Sequence, residues 1–272
     1  IEESPELPQE IIDAGLDGRL VLFIGAGVSQ SVNLPGWSKF AEKVLEQLVP
    51  KPLNYGDIEQ LKHLDPKKKL SIAKSIAKQN GIKIDFAKIF KSDQNMQMDD
   101  NIYSYLNQIG AVYVTTNYDH EIKPRLESKG NSIPNEKITR LAKPDQFIKI
   151  NLKKPGTIFH LHGEMLSTES MVVTTEDYLN HYSNENVGKF LNILFKEYVV
   201  LFVGYGLEEF EILEYIYRRG LQTKGDLKHF LLQGFYKGQS CLHENLYNYY
   251  KDTFQHGGIS LEEMICPSIR LS

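Results

Sequence analysis

Two kinds of apolar run alternate along this chain. Residues 20–24, Leu-Val-Leu-Phe-Ile, are continuously apolar and too short for a helix, so they read as a strand buried on both faces. Runs at 111–114, 157–161, 171–174, 199–203 and 229–233 predict further strands. Elsewhere apolar positions recur three and four apart, which predicts helices at 5–16, 37–48, 186–197 and 208–219, the second stopped by Pro50 and Pro52. Residues 53–108 hold no good strand but four helical patterns, at 58–64, 70–78, 84–90 and 102–109. One helix suffices to connect parallel strands, so this stretch predicts an all-helical insertion. Asn80-Gly81 and residues 92–100 are its candidate hinges. Residues 127–145, with Gly130, Pro134 and Pro144, predict an extended loop with a short strand.

Strands alternating with helices predict an α/β fold: an open parallel Rossmann-like sheet with helices on both faces and an inserted helical lobe. We read residues 1–272 as one catalytic domain. Its core is about 18–52 and 109–235, its insertion about 53–108, and residues 236–272 are unassigned.

Four of the predicted strands run into polar residues. These endings are Gly25-Ala26-Gly27-Val28-Ser29, Thr115-Thr116-Asn117-Tyr118-Asp119-His120, His160-Leu161-His162-Gly163-Glu164 and Gly204-Tyr205-Gly206-Leu207-Glu208-Glu209. Ligands of a parallel sheet lie outside the carboxyl ends of its strands, so the four endings converge on one crevice, which the helical lobe would cap. Gly25 and Gly27 allow a sharp turn and close backbone approach to a ligand. A helix starting near Val28 would aim its N–H groups and positive dipole end there, which suits a pyrophosphate. The pattern falls short of a dinucleotide fingerprint, because Gln30 stands where a third glycine belongs, and no Gly-Lys-Ser/Thr of a P-loop follows. An ordinary tight strand-to-helix turn is the alternative.

His162, next to a glycine after a buried strand, can face a cleft and move protons near neutral pH, or can be a structural histidine satisfied by backbone groups. His160 shares its face if the strand stays extended, and is a second candidate. No third ligand accompanies the two, so no metal site is expected. Asn117 and Asp119 share a face if their strand continues past Val114, and otherwise cap a helix starting near Tyr118. Asn117 can donate to and accept from ribose hydroxyls or a water, and Asp119 can accept from a carboxamide NH₂.

The order of Gly25-Ala-Gly-Val-Ser29, Thr115-Thr-Asn-Tyr-Asp119, His162-Gly163 and Gly204-Tyr-Gly206 resembles sirtuin-like domains over roughly residues 18–235. Leu34-Pro35-Gly36-Trp37 is similar to the bacterial branch that consumes NAD in anti-phage defence. The deacetylases' Asp-Phe-Arg tripeptide is missing. Their Cys₄ zinc ribbon is also out of reach for a chain with two cysteines, Cys241 and Cys266. The resemblance implies an NAD+ glycohydrolase that releases nicotinamide and ADP-ribose and depletes NAD+ in abortive infection. It implies His162 as general base, Asn117 on the nicotinamide ribose and Asp119 at the nicotinamide end. It also implies NAD+ binding by Gly25, Ala26, Gly27, Ser29, Thr116, Gly204, Tyr205 and Gly206. The family's serine after the aromatic residue is Gly206 here, with Glu208 and Glu209 beyond, so the adenosine contact is left open. NAD-dependent protein deacylation and non-catalytic sensing of NAD or an ADP-ribose derivative are the alternatives.

With 272 residues, 41% hydrophobic, the chain can bury one large core or a core with a lobe. A net charge of −4 exerts no global pull on nucleic acid or acidic membrane, and no apolar run approaches membrane-spanning length. We therefore expect a cytoplasmic domain that binds neither directly. The chain begins at Ile1 rather than methionine, as a piece of a longer protein does. Its 15 tyrosines and 13 phenylalanines, including Tyr215, Tyr217, Tyr247, Tyr249 and Tyr250, read as core or interface. An unchecked NADase would empty the cell, so a homo-oligomer, an activating partner or a further domain is expected as the switch.

Overall fold

The computed structural model describes residues 7–90, 101–125, 127–128, 131–132, 138–206, 212–216, 229–233, 241, 244–246, 248–249 and 259–263. The hinge at 92–100, Glu208, Glu209, Cys266 and most of the helix at 208–219 lie outside these residues. Within that last helix, residues 212–216 are helical.

Seven strands form one sheet: β1 (Leu20–Ile24), β2 (Val112–Thr115), β5 (Thr139–Leu141), β6 (Thr157–His160), β7 (Val199–Val203), β8 (His229–Gln233) and β9 (Ile259–Glu263). They lie in the order β5-β6-β2-β1-β7-β8-β9. Every neighbouring pair is parallel. A small antiparallel hairpin, β3 (Glu127–Ser128) with β4 (Asn131–Ser132), stands apart from it. The fold is the α/β, open parallel Rossmann-like sheet that the alternation of patterns predicts. β9 lies in the unassigned tail. The apolar run at 171–174 is a correction, since it forms no strand. Val172 N–H donates to the His162 carbonyl at 2.8 Å, and Met171 and Val173 pack among helices.

The burial of β1 explains its unbroken apolar sequence. Val21 and Phe23 face a core that includes Phe159, Phe202 and the apolar face of α10 (Glu185–Glu197). Leu22 and Ile24 face the opposite core, with Tyr103, Tyr113 and Ile158. Leu20 meets α1 (Gln9–Leu16) through Ile11 and Ala14. A strand covered on both sides has no polar face, and all five residues are buried.

Between β1 and β2 come α2 (Ala26–Ser31), α3 (Trp37–Glu46), α4 (Tyr55–Leu61), α5 (Pro66–Gln79), α6 (Phe86–Ile89) and α7 (Ile102–Leu106). Their starts follow local chemistry. Asn54 and Asp57 form a capping box, and Asp65 accepts from the N–H groups of Lys67 and Lys68 ahead of Pro66. Phe40, Val44 and Leu45 of α3 share one apolar cluster with Leu70 and Ala73 of α5 and with Ile89 and Phe90. Packing thus places α3 with the helices that follow it. α7 turns to the sheet instead, burying Tyr103 and Leu106 beside Leu22 and Ile24.

α8 (Lys149–Leu152) precedes β6, and α9 (Thr175–Tyr182) follows it. The sequence pattern does not predict α9, because its apolar residues are few. Its signal is the capping box of Thr174 and Asp177.

Candidate functional site

β1 is flanked by β2 and β7, the place where chain order reverses and a crevice opens at the carboxyl edge of such a sheet. The turns after β1 and β7 interlock. Gly25 N–H donates to Val203 O at 3.0 Å, and Gly27 N–H to Gly204 O at 2.8 Å. A Cβ on Gly25 would lie 2.6 Å from Gly204 O, and one on Gly27 would lie 2.8 Å from it. Gly204 has φ +59°, and a Cβ there would meet Val28 N at 2.5 Å. The bare backbone that the sequence explains by ligand approach is therefore filled by the neighbouring turn. α2 also starts at Ala26, two residues earlier than the pattern suggests, and Gly27 N–H is already engaged. Gly27→Val should accordingly cost more than about 2 kcal/mol of stability, through overpacking of a backbone junction, on top of any loss of ligand affinity. Chemical denaturation of the variant checks this.

β2 ends at Thr115, whose hydroxyl donates to Ile24 O at 2.8 Å and accepts the Asn117 N–H at 3.0 Å. Thr116 N–H reaches Ile24 O at 3.4 Å. No helix starts near Tyr118, so Asn117 and Asp119 cap nothing there. Both meet Ser29 instead. Asn117 Nδ2 donates to Gly25 O at 2.9 Å and to Ser29 Oγ at 2.8 Å. Ser29 Oγ donates to Asp119 Oδ2 at 2.6 Å. The Tyr103 hydroxyl lies 3.0 Å from Ser29 Oγ and donates to Asp119 Oδ1 at 3.4 Å. Ser29 thus links Asn117 and Asp119 through hydrogen bonds on one wall of the crevice. Tyr103, on α7, is a site residue that the sequence pattern gives no reason to select.

Asp119 is buried, and desolvation raises its pKa despite hydrogen bonds from Ser29 and the Glu121 backbone. His160 is fully buried, with its pKa lowered by desolvation to about 3. Neutral, it donates Nδ1–H to Asn117 O at 3.0 Å and so anchors the Asn117 backbone. His120 pairs with Glu164, and its pKa is lowered, chiefly by burial.

His160 and His162 do not share surroundings, because β6 ends at His160 and alternation ends with it. His162 is fully buried among α9 residues. Its Nε2 lies 2.8 Å from Tyr182 Oη and its Nδ1 3.3 Å from Tyr178 Oη. Burial pushes its pKa well below the ordinary value, with His181 and Lys67 adding to the shift. Gly163, at φ +84°, makes this possible: the Ser170 backbone carbonyl would lie 2.2 Å from any Cβ there.

Two adjoining cavities occupy the crevice. The larger, about 1070 Å³, is lined by Ala26, Gly27, Thr116 and Gly204 to Gly206 on the sheet side, and by Trp37, Lys39, Lys43 and Lys67 from α3 and α5. The smaller, about 30 Å³, lies between Ser29, Asn117 and Asp119 on one wall and Trp37, Phe40 and Phe90 on the other. Tyr205 both lines the larger cavity and packs on Phe23 and Phe202 in the core. His162 lines neither, whereas Tyr178 lines the larger one. Among the described residues no cluster of His, Cys, Asp and Glu could hold a metal ion.

A family model described as a SIR2-like domain matches residues 111–251, just over half of the chain. The chain belongs to the SIR2-like family. Defense-associated sirtuin 2 of Bacillus subtilis is similar to it, with 27% identity over 213 residues that make up 76% of this chain and 20% of the relative. The SIR2-like chain therefore spans about a fifth of that relative's length. The matched segment contains Asn117, Asp119, His162 and the Gly204 turn, but begins after the Gly25 turn and Ser29. Among the described residues no helix is long and apolar enough to cross a membrane.

Proposed function

We propose that this SIR2-like domain hydrolyses NAD+ at the bond between nicotinamide and ribose, releasing nicotinamide and ADP-ribose, and that NAD+ depletion serves anti-phage defence. The observation that carries this reading is the pair of joined cavities headed by Asn117 and Asp119. The larger one, about 1070 Å³, has the size of a site for an extended ligand. Its lysines face a region suited to a diphosphate. The smaller one sets a carboxylate and an amide against aromatic rings, the surroundings that a flat carboxamide-bearing ring needs. Both Asn117 amide protons are spent on Gly25 and Ser29, which leaves Oδ1 to accept from a ribose hydroxyl. The expected transition state is oxocarbenium-like, so the protein has to fix the sugar, hold the leaving group and admit water. The name of the bacterial relative supports the defensive role.

The smaller cavity, about 30 Å³, holds a water but no ring, so Phe90, Phe40 and Trp37 must part for nicotinamide to enter. These residues come from the helices after β1, which makes those helices the gate and assembly or a partner the expected switch. The test is to incubate the full-length protein with NAD+, with and without an acetylated peptide, across a dilution series monitored by light scattering. Nicotinamide is expected without peptide, at a specific activity that rises with concentration. Strict dependence on peptide, or binding without release, would overturn the hydrolase reading. Equal activity in a dilute monomer would overturn the switch.

A further inference from the structure

His162 presents a geometric problem as a general base. It is fully buried, lines neither cavity, and each ring nitrogen meets a tyrosine hydroxyl. Both tyrosines, with His181, come from one face of α9, at positions i, i+3 and i+4. Their rings stand 5.0 to 6.0 Å from the imidazole, centroid to centroid, and the helix that holds them is fixed by its capping box. Of these residues only Tyr178 also lines the large cavity. Lys67, at the start of α5 and on the same cavity wall, holds its ammonium 3.7 Å from the centre of the Tyr178 ring.

We infer that Tyr178 is the group through which His162 reaches the substrate: its hydroxyl takes the proton from the attacking water and passes its own to His162 Nδ1. The inference rests on the hydrolase reading and on His162 as base. In the balanced step, the water oxygen bonds to the anomeric carbon as the carbon–nitrogen bond to nicotinamide breaks. The bonding pair leaves with the ring nitrogen and cancels its positive charge. One water proton goes to the Tyr178 oxygen, and the Tyr178 proton goes to Nδ1. The relay requires Nδ1 to accept, which leaves the single ring proton on Nε2 to be donated to Tyr182 Oη. Lys67, above the ring, favours negative charge on the phenol oxygen, while burial, His181 and Lys67 itself disfavour the imidazolium, so the proton rests on Nδ1 only transiently. Lys67 also ties the relay to the helices between β1 and β2, so their position bears on proton transfer as well as on access.

Two measurements on the full-length protein test this. The first compares nicotinamide release and NAD+ affinity in wild type, Tyr178→Phe and His162→Ala. The second reads the His162 tautomer in the ¹⁵N spectrum of histidine-labelled wild-type protein. A relay predicts that Tyr178→Phe loses at least about 100-fold in turnover, close to His162→Ala, with NAD+ affinity within about threefold of wild type. It also predicts the Nε2–H tautomer. Tyr178→Phe within about twofold of wild type while His162→Ala is inactive would overturn the relay and leave the base assignment standing. Higher activity in Tyr178→Phe would make Tyr178 a plug and overturn the relay too. An active His162→Ala removes the base, and a wild type that binds NAD+ without turnover removes the hydrolase reading; either one takes the relay with it. An Nδ1–H tautomer in the wild type overturns the relay irrespective of activity.

Discussion

Lowering the pH from 7 to 5 is expected to remove at least about 4 kcal/mol of folding stability, a large fraction of what a domain of this kind possesses. Three buried imidazoles cause it. In the unfolded chain each titrates near its ordinary value of about 6.5. In the fold, desolvation lowers His160 to about 3 and His181 to about 4, and His162 lies well below its ordinary value. The unfolded chain therefore binds protons that the native state refuses. Stability is complete above pH 6.5 and drains as the pH falls toward the folded values. At pH 5 His160 and His181 have each cost about 2 kcal/mol, and His162 adds to the loss in the same direction. His120, half-buried and also lowered, adds to the loss. Asp119 opposes it, because its raised carboxyl takes up a proton more readily in the fold than in the unfolded chain. Urea denaturation at pH 7, 6 and 5 measures the slope. His181→Phe should remove about 2 kcal/mol of that loss, since His181 makes no hydrogen bond through Nε2 and its ring packs edge-on against Phe147 and Tyr182. A stability that holds level to pH 5 would show that these imidazoles can be protonated in place.

Asn117→Ala and His162→Ala should each reduce NAD+ turnover by about 10²- to 10⁴-fold, the range of a lost positioning or proton-transfer group. They should differ in what else changes. Asn117→Ala removes a donor from Gly25 O and from Ser29 Oγ, so it should also loosen the Gly25 turn and weaken NAD+ binding. His162→Ala leaves the cavity walls intact, because His162 does not line them, and should preserve affinity while opening a void between Tyr178 and Tyr182. Calorimetric titration with NAD+ beside the turnover assay separates the two. Equal affinity in both variants would detach Asn117 from the binding site.

The parts of this protein that depend on near neighbours in sequence were legible without coordinates. β1 and β7 coincide with their unbroken apolar runs, because a doubly covered strand favours apolar residues, and β8 centres on the run Phe230–Leu232. The helical stretch between β1 and β2 was legible too, its elements shifted by a few residues according to where Asn54, Asp65 and Asp85 cap them. The run at 171–174 misled, since the apolar residues 171–173 look alike whether they pair in a sheet or lie against helices. α9 escaped notice because its apolar pattern is weak, although it carries Tyr178, His181 and Tyr182.

The amino-acid sequence by itself determined the α/β class and the convergence of four strand endings on one edge, since a parallel sheet aligns the carboxyl ends of its strands whatever its loops do. It also brought Asn117, Asp119 and His162 forward as the residues with chemistry to offer. Tertiary structure alone decided what each can reach. Ser29 and Asp119 are 90 positions apart yet share a proton, Gly27 and Gly204 exclude each other's side chains, and His162 looks onto tyrosines from a helix that begins after it. Such contacts are set by distances across the packed sheet and by the few hydrogen-bonding valences of each buried group, and neither quantity has a counterpart in sequence spacing.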